Sequence, residues 1–348
     1  MKRFGFSLIL FAFLVLGGTA FAGGRAEAND DLTEHEEHHH HVDSVPTIDA
    51  VELNGRKLQV AATTSIIGDV VSNIVLDAAE LTVIMPLGQN PHGFSPSPSD
   101  VAKMEKADIV FVNGLELEEN LLPILESLDG PIIVPVSAGI DVIERGGVND
   151  EHHEDGEHEE GEDHHDHVVD PHTWFSPLNV MHWTGVVESS LAAADPSNHE
   201  AYEAAAETYL VKLKDLDREV REMVGTIPVE NRKLVLDHAA IGYYARDYGF
   251  EMIGNIIPSF SDQSEPSARQ VADMVELVRA ENVQAIFVGG TASRGVLKLA
   301  ESVAAETGRD NLPVVRFLTG SLTTAGGRGD TYLDFIRYNT ESFVQALR

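Results

Sequence analysis

Apolar positions in this chain come in short runs separated by polar, helix-forming stretches. From residue 57 onward, "KLQVAAT" reads as a strand, "SIIGDVVSNIVL" as a helix, "LTVIMP" as a strand and "SPSDVAKMEKA" as a helix with a serine or aspartate start signal. "DIVFVNG" and "PIIVPVS" are strands around the helical "EENLLPILESL". Strands of four to seven apolar residues alternating with helices predict a parallel sheet covered on both faces. Residues 198 to 226 form the longest helical pattern, with Tyr202, Ala206, Tyr209, Leu213, Leu216, Val220 and Met223 at three- and four-residue spacing. At ~1.5 Å per residue such a helix runs ~40 Å, long enough to bridge two lobes. The alternation then restarts. Strands are expected at "KLVLDH", "FEMIGNII", "QAIFVGG" and "PVVRFL", and helices at "AAIGYYARDYG", "PSARQVADMVELVRAE", "RGVLKLAESVAAETG" and "TYLDFIRYNTESFVQAL". The pattern predicts an α/β protein of two lobes, each a mostly parallel sheet flanked by helices, joined by one long rigid helix. In open parallel sheets ligands bind beyond the carboxyl ends of the strands, so two such edges facing each other would make a cleft.

The amino-terminal end differs. Lys2 and Arg3 precede the apolar Phe4 to Leu16, and Ala20-Phe21-Ala22 has the small-x-small form of a cleavage site. Residues 1–22 are therefore expected to be a secretory signal peptide cleaved after Ala22, and the apolar run is too short for a membrane anchor. Residues 23–55, with "HEEHHHH" at 35 to 41, are expected to be a disordered His-rich tail. The division expected for the rest is a first lobe over 56–197, a linker helix over 198–227 and a second lobe over 228–348. The chain has no cysteine, which leaves neither disulfides nor a lipid-bearing thiol and fits a bacterial periplasm.

The formal net charge is −33, which repels nucleic acid and draws cations to the surface. Between residues 150 and 170 there are eleven acids, six histidines and no Lys or Arg. This stretch, an acidic His-rich loop at 150–168, has too few apolar residues to build a core. As a set of weak metal sites it is expected to collect zinc or sense its abundance; the alternative is a solvated linker.

Eleven of the sixteen histidines lie in those two low-complexity runs. The other five are His92, His172, His182, His199 and His238. His92 lies in "GQNPHGFSPSPSD" after a strand, His172 in "DPHTWFSP" between prolines, and His238 ends the strand "KLVLDH". An isolated histidine is more often a surface residue than a ligand. Three at comparable edge positions, none inside a helix, point to one metal site. His182, within a helix, and His199, at the start of the long one, are read as structural.

The segments "GQNPHGFSPSPSDVAKMEKADIVFVNGLELEENL", "DPHTWFSP", "DHAAIGYYARDYG" and "DTYLDFIRYNTESFVQAL" resemble the cluster A-I metal-binding proteins of bacterial zinc and manganese ATP-binding-cassette importers. The resemblance covers residues 57 to 348 and implies two α/β lobes, a long linking helix and a metal between the lobes, on His92, His172 and His238. It further implies a monomer that delivers Zn(II), as transported ligand rather than resident cofactor, to a membrane permease in the periplasm. A metallochaperone is left open as a further partner. Manganese members usually carry a carboxylate at the third position, where this chain has His238, and three imidazoles suit Zn(II). Members usually supply a fourth ligand, an aspartate, from the loop after the last strand; here the equivalent position is Gly320. Gly290 likewise stands where members often have an acid. Water or a mobile carboxylate is therefore expected as fourth donor, and an aspartate placed at 320 is expected to tighten binding. Asp262, Glu265 and Asp330 are the nearby acids, with Asp330 expected to cap the last helix. The competing readings are a zinc hydrolase, since three histidines and a water also form a catalytic layout, and a zinc buffer or adhesin on the same fold. Apart from "HEEHH" at 35 to 39 in the low-complexity tail, no H-E-x-x-H is present to support the hydrolase.

Overall fold

The computed structural model describes residues 44–144, 169–309 and 311–348. The expected signal peptide, most of the His-rich tail and the acidic His-rich loop lie outside the described residues. The first lobe is built on β1 (Leu58–Ala62), β2 (Ala79–Val83), β3 (Ile109–Val112) and β4 (Ile132–Pro135). The second is built on β5 (Lys233–Leu236), β6 (Glu251–Asn255), β7 (Ile286–Gly289) and β8 (Val314–Phe317). Every pairing is parallel. The strand orders are β2-β1-β3-β4 and β6-β5-β7-β8, so the two lobes share one topology. In each, the chain leaves the first strand to one side and returns to the other, opening a crevice at the carboxyl ends where the order reverses.

Helices α1 (Ser65–Val75), α2 (Pro98–Met104) and α3 (Leu122–Glu126) belong to the first lobe. Two longer ones follow, α4 (Pro177–Ala194) and α5 (His199–Val224). The second lobe carries α6 (Gly242–Tyr248), α7 (Ala268–Ala280), α8 (Arg294–Glu306) and α9 (Tyr332–Leu347). Helix α5 has 26 residues, roughly 40 Å at ~1.5 Å each. Its buried row is Tyr202, Ala206, Tyr209, Leu213, Leu216, Val220 and Val224, the stripe read from the sequence with Val224 in place of the half-exposed Met223.

One continuous apolar core runs through both lobes. It includes Leu58 and Val60 of β1, Ile67 and Val71 of α1, Trp183 and Leu191 of α4, the α5 row, Leu234 and Leu236 of β5, and Phe335 and Phe343 of α9. Phe175 stacks on Phe335 with ring centroids 5.7 Å apart and lies 6.2 Å from Phe317. Burying a side chain of this size contributes about 1.5–3 kcal/mol. The outer faces of the two sheets carry separate apolar clusters, one around Val110 and Met104, the other around Ile286 and Val303.

Three details depart from the sequence reading. The stretch from 118 to 128 is helical only over Leu122–Glu126, because Pro123 is tolerated only in a first turn and Glu118 turns its carboxylate onto the Asn113 N–H at 2.7 Å. Strand β2 begins at Ala79, two residues early, since an edge strand with an exposed face accommodates Glu80. Residues 44–55 are not a free tail: Ile48, Val51 and Leu53 pack on the core and Val51 N–H donates to Ala194 O at 2.8 Å.

Candidate metal site

Two of the candidate histidines sit in the same local device. Asn90-Pro91-His92 and Asp170-Pro171-His172 are both Asx-Pro-His. In each, the side-chain oxygen of the first residue accepts the backbone N–H of the histidine, at 3.2 Å for Asn90 and 2.9 Å for Asp170. Asn and Asp readily close such turns, and the central proline fixes φ. The first turn runs on into a short 3-10 helix at Pro91–Gly93 and the second into one at Thr173–Phe175.

The turn bearing His172 rests on the carboxyl ends of β3 and β4. Asn113 Nδ2 donates to Pro171 O at 2.9 Å, and the Ser137 and Thr173 hydroxyls lie 2.8 Å apart. His238 follows β5 directly. Its neighbour Asp237 accepts the Gly289 N–H, at the end of β7, at 3.1 Å. His92 comes from the loop after β2, where Asn120 Nδ2 holds its carbonyl at 3.1 Å. All three thus sit at carboxyl ends of the two sheets.

The three imidazoles converge. Ring centroids are 5.1 Å apart for His92 and His172, 5.3 Å for His172 and His238, and 6.2 Å for His92 and His238. One nitrogen from each ring lies within 4.8 Å of the others, and His92 Nε2 is 3.1 Å from His172 Nε2. His172 and His238 are buried at 2 % and 4 % exposure, whereas His92 is half-buried. Among the described residues, no other group of three His, Asp or Glu side chains is placed to share an ion.

Carboxylates orient two of the rings. His172 Nδ1 lies 2.8 Å from Asp170 Oδ1, and His238 Nδ1 lies 3.2 Å from Asp237 Oδ1 without forming a hydrogen bond. The His172 ring therefore keeps Nε2 for the cleft, where it meets His92 Nε2. Burial, reinforced by His172 and His238, holds His92 down to about 3. Burial, and then His238, hold His172 well below the imidazole range. For His238 burial acts downward, but Asp237, Asp262 and Asp170 outweigh it and its pKa is raised. Burial pushes the Asp170 carboxyl up to about 7. The cluster is thus short of positive charge: two rings stay neutral, and the Asp170 carboxyl beside His172 is costly to ionise without a cation.

The remaining sequence candidates separate clearly. His182 Nε2 lies 2.7 Å from Ala138 O, tying α4 to the loop after β4. The exposed His199 lies 3.9 Å from both Glu188 and Glu203. Asp330 does not cap α9; Thr331 does, and Asp330 Oδ2 accepts the Gly326 N–H at 2.7 Å. Glu265 is exposed. Gly320 lies against the site, but a Cβ there would fall 2.4 Å from Pro91 Cδ and 2.9 Å from Pro91 Cγ. An aspartate at 320 would displace the proline that positions His92, so the expectation that it would tighten binding is withdrawn. Asp170 and Asp237 escaped the sequence reading although their signal was present: each stands within two residues of a candidate ligand.

Residues 60–346 match the family described as ZnuA, zinc-uptake complex component A, periplasmic. The manganese-binding lipoprotein MntA of Halalkalibacterium halodurans is 31 % identical over 294 residues, covering 84 % of this chain and 90 % of that protein. The manganese ABC transporter substrate-binding lipoprotein PsaA of Streptococcus pneumoniae TIGR4 is 30 % identical over 302 residues, covering 84 % and 90 %. Among solved structures, the periplasmic zinc-binding protein TroA from Treponema pallidum superposes with a TM-score of 0.73 at 25 % identity, covering 84 % of this chain and 99 % of that one. A cadmium-bound periplasmic metal-binding protein from Candidatus Liberibacter asiaticus gives a TM-score of 0.71 at 26 % identity, covering 84 % and 100 %.

Proposed function

This chain belongs to the family of periplasmic zinc-uptake components, metal-binding substrate-binding proteins of ABC transporters, and from that premise we propose that it captures Zn(II) on His92, His172 and His238 and releases it to a membrane permease. The observation that carries the reading is the convergence of three imidazoles at the facing carboxyl ends of two parallel sheets. Tetrahedral zinc with Zn–N bonds of ~2.0–2.1 Å brings its donor nitrogens to roughly 3.3 Å. The 3.1 Å between His92 Nε2 and His172 Nε2 is already near that spacing.

Zinc is favoured over manganese by the donor set. Three neutral nitrogens suit Zn(II), whereas manganese prefers more oxygen. The relatives named for manganese do not decide the metal here, because that choice rests on the ligands of each protein. We assign no turnover: Asp170 and Asp237 face ring nitrogens, so neither is placed to act as a general base on a metal-bound water. The relatives are named lipoproteins, while the 348 residues contain no cysteine; this supports a free periplasmic form with the signal removed after Ala22. The acidic His-rich loop is a collector of weakly held zinc. Deleting 151 to 167 should remove weak equivalents and spare the tightest one.

Chelator-competition titration of the purified protein tests the assignment. One tight Zn(II) equivalent is expected, lost by at least about 100-fold in His92→Ala, His172→Ala and His238→Ala, beyond the 10- to 100-fold typical of outer-shell changes. Undiminished binding in any of the three variants would remove that residue from the site.

A further inference from the structure

Three nitrogens leave a tetrahedral ion one donor short, and the loop that supplies the family's usual aspartate offers only Gly320, packed on Pro91. We propose that Asp262, from the loop after β6 of the second lobe, is the fourth ligand, in place of the water expected from the sequence. The proposal rests on the three-histidine site argued above.

Asp262 is a buried acid at the edge of the site, outside the 4.8 Å within which the three histidine nitrogens gather, so it ligates by a shift of its loop toward them. It is 8 % exposed, in a loop whose neighbours Gln263, Ser264 and Glu265 are exposed. It reaches across the cleft: Asn90 Nδ2, from the turn that positions His92, donates to Asp262 Oδ1 at 2.6 Å. Gln263 Nε2 donates to the same oxygen at 2.8 Å, and its side chain lies alongside Gly93. Both hydrogen bonds fall on Oδ1; Oδ2 receives none among the described residues. Asp262 opposes the lowering of His92 and contributes to the raising of His238. No other acid combines these features: Asp170 and Asp237 are turned to ring nitrogens, Glu265 is exposed and Asp330 holds Gly326.

The ligand set becomes three neutral nitrogens and one carboxylate oxygen, drawn from both lobes. A carboxylate already buried and held by two amide donors needs only a local shift to ligate, and it neutralises half the charge of the ion. Because Oδ1 is anchored to the Asn90 turn, the fourth ligand and His92 are mechanically joined across the mouth of the cleft.

The competing role is a latch that merely holds Asn90, and the substitutions separate the two. In Asp262→Asn the Oδ1 acceptor for Asn90 and Gln263 survives, while an amide nitrogen replaces Oδ2. A ligand role predicts that Asp262→Asn and Asp262→Ala weaken Zn(II) binding alike, by at least about 100-fold, beyond the range of outer-shell changes; a latch role leaves Asp262→Asn near wild type. The direct test uses Asp262→Cys loaded with Co(II). The chain has no cysteine, so a thiolate-to-Co(II) charge-transfer band in the near ultraviolet can arise only from position 262. The band is expected in Asp262→Cys and absent from wild type and from Gln263→Cys. If Asp262→Cys binds Co(II) through its histidines without the band, and Asp262→Asn binds Zn(II) like wild type, Asp262 is not a ligand and the three-histidine assignment stands. If the single histidine variants also bind undiminished, the site itself has been misassigned, and the two failures are told apart.

Discussion

The turns at Asn90-Pro91-His92 and Asp170-Pro171-His172 share a backbone device and differ in one atom. Asp170 is a carboxylate. Its Oδ1 accepts both the N–H and Nδ1 of its own histidine, at 2.9 and 2.8 Å, so the turn is closed on itself and buried. Asn90 is an amide. Its Oδ1 holds His92 N–H at 3.2 Å, and its Nδ2 is free to donate outward to Asp262 of the other lobe at 2.6 Å. The first choice fixes a ligand; the second couples a ligand to the opposite lobe. The surroundings follow the same division. Beside His172 lies the seam between the lobes, where Trp174 Nε1 donates to Thr319 O at 3.0 Å and Tyr332 Oη donates to Trp174 O at 2.9 Å. With one apolar core running along α5, the seam resists a swinging hinge. His92 is half-buried on a loop with exposed Leu87, Gly88 and Gln89. On the proposed site, metal is therefore expected to enter and leave by displacement of the His92 and Asp262 loops, while His172 and His238 stay in place.

Exchanging the two side chains breaks the comparison with the largest expected effect. Asp170→Asn keeps an acceptor for the His172 N–H but removes the charge that supports a metal-bound imidazole, so Zn(II) affinity should fall about 10- to 100-fold. Asn90→Asp sets two carboxylates against each other and should mainly destabilise the metal-free protein. The thermal melting difference from wild type should be largest at neutral pH and shrink in acid, as one carboxyl of the pair takes up a proton. Titration and melting curves on both variants check this. An Asn90→Asp protein as stable as wild type at neutral pH would mean the two side chains do not meet.

Acid gives the next effect. Zinc needs neutral imidazoles. His92, down to about 3, and His172, well below its ordinary value, carry no proton at pH 7, whereas His238 is raised and holds one longest. Protons therefore compete at a single ring. As pH falls below the His238 value, affinity should drop at least about tenfold per unit, with one proton released from the rings per ion and up to one more from Asp170, whose carboxyl stands at about 7. Calorimetry in buffers of different ionisation enthalpy counts these protons; a release of three would show that the rings titrate as ordinary, independent histidines.

Much of this was legible in the chain. The strand and helix order could be read because parallel strands are buried on both faces and appear as plain apolar runs. The three histidines stood out because each follows a strand or lies in a proline-framed loop. The Pro91–Gly320 packing and the Asn90–Asp262 bond were hidden, because both join segments from different lobes and neither leaves a local pattern. Residues 44–55 were misread for a similar reason: Ile48, Val51 and Leu53 are too few to form a run, and only the lobe they pack on makes them ordered.

The smallest effect is expected at the histidines outside the cluster. His182→Ala removes a contact with Ala138 O and should cost about 1 kcal/mol of stability, and His199→Ala, exposed, still less. Neither should change tight Zn(II) affinity by more than about twofold, against the roughly 100-fold loss expected for a ligand. Equal, small effects from all five histidines would undo the distinction.

The most direct measurement is anomalous diffraction at the zinc edge from crystals of the zinc-loaded protein. The account predicts one strong peak between the lobes, with the Nε2 atoms of His92, His172 and His238 at ~2.0–2.1 Å. A principal peak elsewhere, or one lacking any of these three nitrogens, would contradict it.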